Sequence, residues 1–377
     1  MTSEPKQLSV CDVAELFLAC FGRELDLEWW QWKYGPMNGV AQYAFNELGF
    51  LIGHYAGFPR VMLGPAGLAL NPNLDYDDST ERSNATRFEV LQIGDVMVHP
   101  RARSSLVRRN VFYNLAEAFI DSTVGCDKPS VKRRYQWIYG FPNRRHLKLG
   151  ELHKLYGSVG KMYEFAWGSQ QIRKFVGDFS STEEPTNYFK ITQKNISIIR
   201  ADRLFFTSKS KLIDRLIQRV TEELVMRLGV CIGLRSSSWL VSRYLTWPSY
   251  QVYFIFRNEM AASHLWNVTG DQDMGIFVLR HHGSPSDVQI ELIDIFASES
   301  LWENTFISVL IQTLAHNANK LSLWASMPLA RRLEDVSTRI GLYSKPLELP
   351  FDVAAGKWAA EGLENSLWVS GGDTDFR

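Results

Sequence analysis

Apolar residues recur at helical spacing near the start of the chain. Val13, Leu16, Phe17, Cys20 and Phe21 share one face of residues 8–24, with Asp12 placed to open the helix and Gly22 to end it. A second short helix holds Trp29, Trp30 and Trp32 and must stop before Gly35-Pro36. The period then changes. Val40–Phe45 and Phe50–Tyr55 alternate as two strands across Asn46-Glu47-Leu48-Gly49. Residues 71–87 are polar and read as a long surface loop. Phe88–Val98 reads as a long central strand ended by Pro100, Val111–Thr123 as a helix, and Tyr135–Gly140 as a strand. That strand runs through a Phe141-Pro142-Asn143 corner into a helix over Arg144–Leu155. Residues 169–203 are polar and mixed, placing an inter-domain connection near 170–200; Leu204–Leu228 then reads as helical, and a helix at 211–228 opens the second half.

The two halves repeat one another. Trp32, Gly49-Phe50-Leu51-Ile52, Gln92-Ile93-Gly94-Asp95-Val96-Met97, Leu155-Tyr156-Gly157-Ser158 and Trp167 occur in that order. The second half has Trp247, Gly275-Ile276-Phe277-Val278, Leu292-Ile293-Asp294-Ile295-Phe296, Leu342-Tyr343-Ser344 and Trp368. Five features in one order point to two copies of a single fold. The predicted division is 1–175 and 200–377. The first copy is longer between Asp95 and Tyr156, where its arginines cluster.

Length and composition agree with this. The chain has 377 residues, 45% hydrophobic and 22% charged, enough for two ordinary globular domains. Its twelve Trp belong to large cores or line a groove. Lys plus Arg and Asp plus Glu both number 41, which argues against a general nucleic-acid binder. The basic residues nevertheless gather between Arg101 and Lys154, a patch suited to a compact anion. Cys11, Cys20, Cys126 and Cys231 show no metal-ligand or disulfide spacing, so no metal is expected. The N-terminal MTSEPKQLSV has no signal-peptide pattern, and no stretch of about 18 apolar residues exists, so a cytoplasmic protein without a membrane span is expected.

The segment Val96–Leu115, VMVHPRARSSLVRRNVFYNL, is a strand, a turn with Arg and Ser, and a helix. A helix N-terminus presents unpaired N–H groups and partial positive charge, and phosphates bind there. Arg103, Arg108 and Arg109 add forked donors, and Ser104 and Ser105 add hydroxyls. In the second half the corresponding Ser298-Glu299-Ser300-Leu301-Trp302-Glu303 has neither Gly nor Arg, and its carboxylates repel phosphate.

His99-Pro100-x-x-Arg103-Ser104-x-Leu106, followed by Arg108-Arg109 and an aromatic helix, resembles the pyrophosphate loop of GNAT acetyltransferases. Tyr139-Gly140-Phe141-Pro142-Asn143 resembles the block after the fifth strand of that fold, and Leu147–Tyr156 the segment that follows. The resemblance covers about residues 10–167. The family most often has Gly where this chain has Ser104, Leu106 and Asn110, which bears on how closely the backbone can approach a pyrophosphate. It implies an α+β (α/β) fold with a mixed, mostly antiparallel central sheet flanked by helices, in two tandem copies of which the second is degenerate.

It also implies acyl transfer from acetyl-CoA or another short acyl-CoA to an amine, such as a small molecule or amino sugar, by direct attack. Arg103–Asn110 and Asn143 would then bind the donor, with a backbone N–H of Met97 or Val98 polarising its carbonyl. Tyr156 is the candidate for protonating the leaving thiolate, and Asp95 for the base. Tyr343 repeats Tyr156, and Asp294 repeats Asp95, so both also read as structural anchors. Gln92, Glu47 and His54 are candidates for the acceptor side, and His99 reads as structural. Asn143 alternatively caps the helix that begins at Arg144. The second copy would shape the acceptor groove, pack on the first, or mediate a homodimer. A non-catalytic tandem binding protein is the competing reading. Paired domains of this kind also occur in aminoacyl-tRNA-dependent peptidyl transferases, which the neutral charge disfavours.

Overall fold

The computed structural model describes residues 9–35, 38–66, 68, 85–103, 110–125, 135–176, 196–257, 273–356, 359 and 362–374. Helix α1 (Val10–Phe21) is opened by Ser9, whose hydroxyl accepts from the Asp12 amide while the Asp12 carboxylate accepts from the Ser9 amide. Gly22 ends it in the left-handed conformation. Its buried face, Val13, Leu16 and Phe17, packs against Leu51 and Met97. Asp26 caps α2 (Leu27–Tyr34), the Trp-rich helix.

Strands β1 (Val40–Phe45), β2 (Leu51–Pro65) and β3 (Ala85–Val98) form an antiparallel run, followed by α3 (Val111–Thr123), β4 (Ile138–Gly140), α4 (Arg144–Leu152) and β5 (Tyr156–Gly168). The chain continues through α5 (Ser169–Val176), β6 (Ile196–Ala201), α6 (Arg203–Leu228), β7 (Cys231–Gly233) and α7 (Ser237–Arg243). Strands β8 (Tyr250–Arg257), β9 (Met274–Ser284) and β10 (Asp287–Ala297) then form a second antiparallel run. It leads to α8 (Trp302–Ala315), β11 (Lys320–Ser326), α9 (Met327–Arg339), β12 (Leu347–Gly356) and β13 (Leu367–Trp368). After each run the chain continues in the same succession, helix, strand, helix, strand, as α3-β4-α4-β5 and α8-β11-α9-β12. Several elements differ in extent from the sequence reading. β3 starts at Ala85, inside the expected loop, and the rest of that loop lies mostly outside the described residues. β4 keeps only Ile138–Gly140, and α4 stops at Leu152, two residues before Lys154 takes a positive φ. The helical stretch expected over Leu204–Leu228 begins at Arg203, capped by Asp202.

The strands form one mixed, mostly antiparallel sheet in the order β13-β7-β2-β3-β4-β12-β5-β11-β10-β9-β8-β6, with β1 also on β2. The expected break near 170–200 therefore separates the halves in sequence but not in the sheet. β12, from the second half, lies between β4 and β5 of the first, and β5 lies between β12 and β11. Each half gives its last long strand to the other. Both runs carry a β-bulge, one in β3 opposite His54–Ala56 and one in β10 between Leu292 and Asp294. Asp95 sits in the first with φ 51°, a conformation that Asp tolerates better than most residues.

The chain's last described segment closes the structure. Beyond Leu292↔Leu323 the parallel β10 and β11 lose register, and Ser370 bridges Ala325 there while its hydroxyl donates to Asp294 at 2.9 Å. Asp373 accepts from Arg60 of β2 at 2.8 Å and from Arg235 at 2.5 Å; Arg235 also pairs with Asp294 at 2.6 Å. All four side chains are buried. Burial pushes the Asp373 carboxyl up, but Arg235 and Arg60 outweigh it and hold it below the ordinary carboxylate value. Removing one member leaves its partners charged and dry. Asp373→Ala is expected to lower unfolding free energy by about 3–5 kcal/mol, read as a fall in the urea midpoint. A change below about 1 kcal/mol would show that the cluster does not clamp the halves.

Candidate functional site

Strands β3 and β4 run parallel, and their pairing is confined to Leu91↔Ile138 and Gln92↔Tyr139. After that they part. β3 continues through its bulge to Val98, while the other chain turns at Phe141-Pro142 into α4, whose N-cap Asn143 accepts from the His146 amide. Gly140 sits at the fork, where a Cβ would lie 3.2 Å from Ile93 Cβ and 3.3 Å from its carbonyl oxygen. A cavity of about 710 Å³ opens there.

The cavity passes through the sheet. Tyr55, Phe112 and Ile138 line it from the cluster under α3, and Tyr139 and Phe141 from the cluster on the opposite face. Alternation along β4 sends consecutive side chains to opposite faces. The α1–α2 connection, including Glu24, Leu25 and Asp26, forms one rim. The second half contributes Trp247, Arg280, Glu291 and Trp324, and β12 adds Ala354–Gly356.

Neither Met97 nor Val98 is among the residues that line the cavity, and their amides point in opposite directions. The His99 amide donates to Ile52 O of β2 at 2.8 Å, so alternation directs the amides of His99 and Met97 toward β2 and that of Val98 the other way. Val98 O, on that same edge, accepts from Arg103 Nε at 2.8 Å and from the Cys20 thiol at 3.3 Å. Met97 itself is buried against α1. Asn110 caps α3 by accepting from the Tyr113 amide at 2.9 Å. Ser104, Ser105, Leu106, Arg108, Arg109 and Cys126 lie outside the described residues. His99 caps the turn at Pro100–Ala102, accepting from the Arg101 amide.

Tyr156 lines the cavity and donates to His146 O at 2.9 Å. Its ring lies over Gly150, where a Cβ would meet it at 2.1 Å. Burial pushes its phenol well above the ordinary value, so it carries its proton at neutral pH. Tyr343 is instead 60% exposed, so the repeated tyrosines do not share an environment.

Asp95 lines the cavity and pairs with buried Lys33 Nζ at 2.6 Å, and accepts from Tyr34 Oη at 2.8 Å. Its carbonyl accepts from His54 Nδ1 at 2.7 Å, which leaves Nε2 of this fully buried ring without a hydrogen-bond partner among the described residues. Gln92 is buried; its amide nitrogen donates to Asp373 O and its oxygen accepts from Tyr139 Oη at 3.0 Å. Glu47 sits in the exposed β1–β2 turn, away from the residues that line the cavity. Trp29, on the cavity wall, has a buried indole N–H with no partner among the described residues.

Sequence reasoning missed Lys33, Trp29 and every second-half contributor. A lone Lys within Leu27–Tyr34, a run holding three Trp, was the one available signal for Lys33. Among the described residues no group of three or more His, Cys, Asp or Glu could hold a metal ion, and no helix is long and apolar enough to cross a membrane.

Comparison with solved structures places this geometry. A GCN5-related N-acetyltransferase from Anabaena variabilis superposes with a TM-score of 0.56 at 10% identity, covering 92% of this chain and 70% of that one. One from Kribbella flavida gives 0.54 at 12% identity, covering 92% and 68%. The chain has the fold of the GCN5-related N-acetyltransferases. A conserved protein of Enterococcus faecalis V583, described as a probable N-acyltransferase, gives 0.54 at 10% identity, covering 91% and 69%. No protein-family model and no curated protein matches the sequence. The GNAT resemblance of residues 10–167 thus extends, as fold, over nearly the whole chain.

Burial lowers the His54 pKa below its ordinary 6.5, outweighing the opposing pull of Asp95. The folded state therefore takes up this proton less readily than the unfolded chain. Its contribution to stability is complete above about pH 6.5 and is lost as pH falls below that. The urea midpoint should drop between pH 7 and 5, and His54→Gln should reduce that slope. An unchanged slope would place the proton uptake elsewhere.

Proposed function

We propose that this protein is an acyl-CoA-dependent N-acyltransferase built from two GNAT-like copies, about residues 1–175 and 200–377, of which only the first takes the donor. The observation that carries this is the opening between β3 and β4, a cavity of about 710 Å³ reaching both faces of the sheet. It has the volume of a small-molecule site. The buried indole N–H of Trp29 on its wall, without a partner among the described residues, is a donor that a bound carbonyl would satisfy. In the second half the corresponding region between β10 and β11 holds Ser370 and Gly371, where a Cβ on Gly371 would lie 3.7 Å from the Ile293 carbonyl oxygen.

The donor, once bound, supplies a thioester whose carbonyl carbon accepts the amine. In this reading the start of α3 and the arginines of 101–109 hold its phosphates, and the Val98 amide polarises the thioester oxygen. The amine nitrogen forms the new C–N bond as the C–S bond breaks, and Tyr156 gives its proton to the departing sulfur. The neutral phenol suits that role. The amine proton leaves to water, beside the Asp95 carboxylate that Lys33 holds on the cavity wall. A second reading, ligand binding without catalysis, draws on the same pairing and on the ties holding Gln92.

Saturating acetyl-CoA, at about 100 times its Kd, should stabilise the fold by about 2.7 kcal/mol and raise Tm by several degrees. Arg108→Glu with Arg109→Glu should remove the shift. No shift in the natural protein at millimolar acetyl-CoA would overturn the donor assignment. Tyr156→Phe should lower kcat by about 100-fold with little change in KM for acetyl-CoA. Full kcat in that variant would assign thiolate protonation to another group, and binding without turnover of any amine would favour the second reading.

A further inference from the structure

Aromatic rings line much of the cavity; where the second half borders it they are Tyr139 and Phe141 of the first half and Trp247 and Trp324 of the second. Trp324 meets Phe351 edge-on at 5.4 Å, and Phe351 meets Phe141 edge-on at 6.5 Å, so three rings form a packed run behind the opening. The polar groups on these walls are largely engaged. Tyr139 Oη donates to Gln92, and Arg280 pairs with Glu291 directly across β9 and β10. The carboxylates outside a salt bridge stand at the rim, where exposed Glu24 and Asp26 outnumber the one exposed cation beside them, Arg23, and Asp26 accepts from the Trp29 amide.

We infer that the acceptor is an arylalkylamine, a primary amine on a short chain ending in an aromatic ring. The inference rests on the acyl-transfer reading above. Acidic rim groups attract the ammonium form, and aromatic walls hold the ring by offset or edge-on contact. An amino sugar fits this lining poorly. Its hydroxyls need hydrogen-bond partners, and each one buried without a partner weakens binding. The second half thereby has a task that needs no phosphate site: it furnishes two of the acceptor's aromatic walls.

The test uses the full chain with acetyl-CoA and compares tryptamine and phenethylamine with glucosamine and kanamycin, reading free thiol release. The aryl amines should exceed the amino sugars in kcat/KM by about tenfold or more, equivalent to about 1.4 kcal/mol. Trp324→Ala should raise KM for tryptamine while leaving that for glucosamine within twofold. Calorimetric titration of the CoA-loaded protein gives a second readout independent of turnover, with tryptamine binding more tightly than glucosamine. Equal or reversed rank in both rate and binding would overturn the inference. Acetyl-CoA stabilisation is measured on the same samples. Its presence with reversed rank sinks the acceptor class alone, whereas its absence sinks the donor reading first and this inference with it.

Discussion

The structure depends on a hydrogen-bonded ladder that stops early. Parallel strands β3 and β4 pair over two residues and then part at Gly140, where any larger residue would press on Ile93. A sheet that opens in its middle exposes backbone groups and loses packing across the gap. The protein therefore needs elements to hold both lips apart without filling the space. The bulge at Asp95, fixed by Lys33, Tyr34 and His54, sets one lip. The cap of α4 at Asn143 and the Tyr156 contact with His146 set the other.

The exchange of β5 and β12 extends that constraint across the molecule. Because β12 lies against β4, the second half borders the gap and lends it Ala354–Gly356 directly. The two halves are bound by shared strands and by the buried Arg60–Asp373–Arg235–Asp294 cluster, not by an exposed interface. Such a cluster stabilises only when complete, since a single unpaired charge in that setting costs more than a matched pair returns. Its tie to Gln92 and Tyr139 links the end of the chain to the cavity wall. Of the two parallel pairs that follow an antiparallel run, β3–β4 opens onto the cavity and β10–β11 meets the chain's own Ser370 where its register ends.

Much of the scaffold was legible along the chain. Helical periodicity located α1 and the bulk of α3, and alternation located β1 and the core of β3. These signals are local, arising from which side of one element meets the core. The repeated Asp95 and Asp294 also carried real information, for each sits at a bulge in its strand. The repeated Tyr156 and Tyr343 did not, because one is packed over Gly150 and the other stands in solvent. Glu47 looked close to the site along the chain, but the turn carries it to the surface.

The sequence by itself determined the types of the elements from α1 to α4, the order in which features recur, and the corner Tyr139–Asn143, since each follows from short-range periodicity and turn chemistry. Only the tertiary structure decided that the halves share one sheet, that Lys33 neutralises Asp95, and that Trp247 and Trp324 face the opening in the first half. Those facts arise between residues far apart in the chain. Strand exchange can bring together any two segments of compatible edge and length, and neither partner's local pattern records which one it meets.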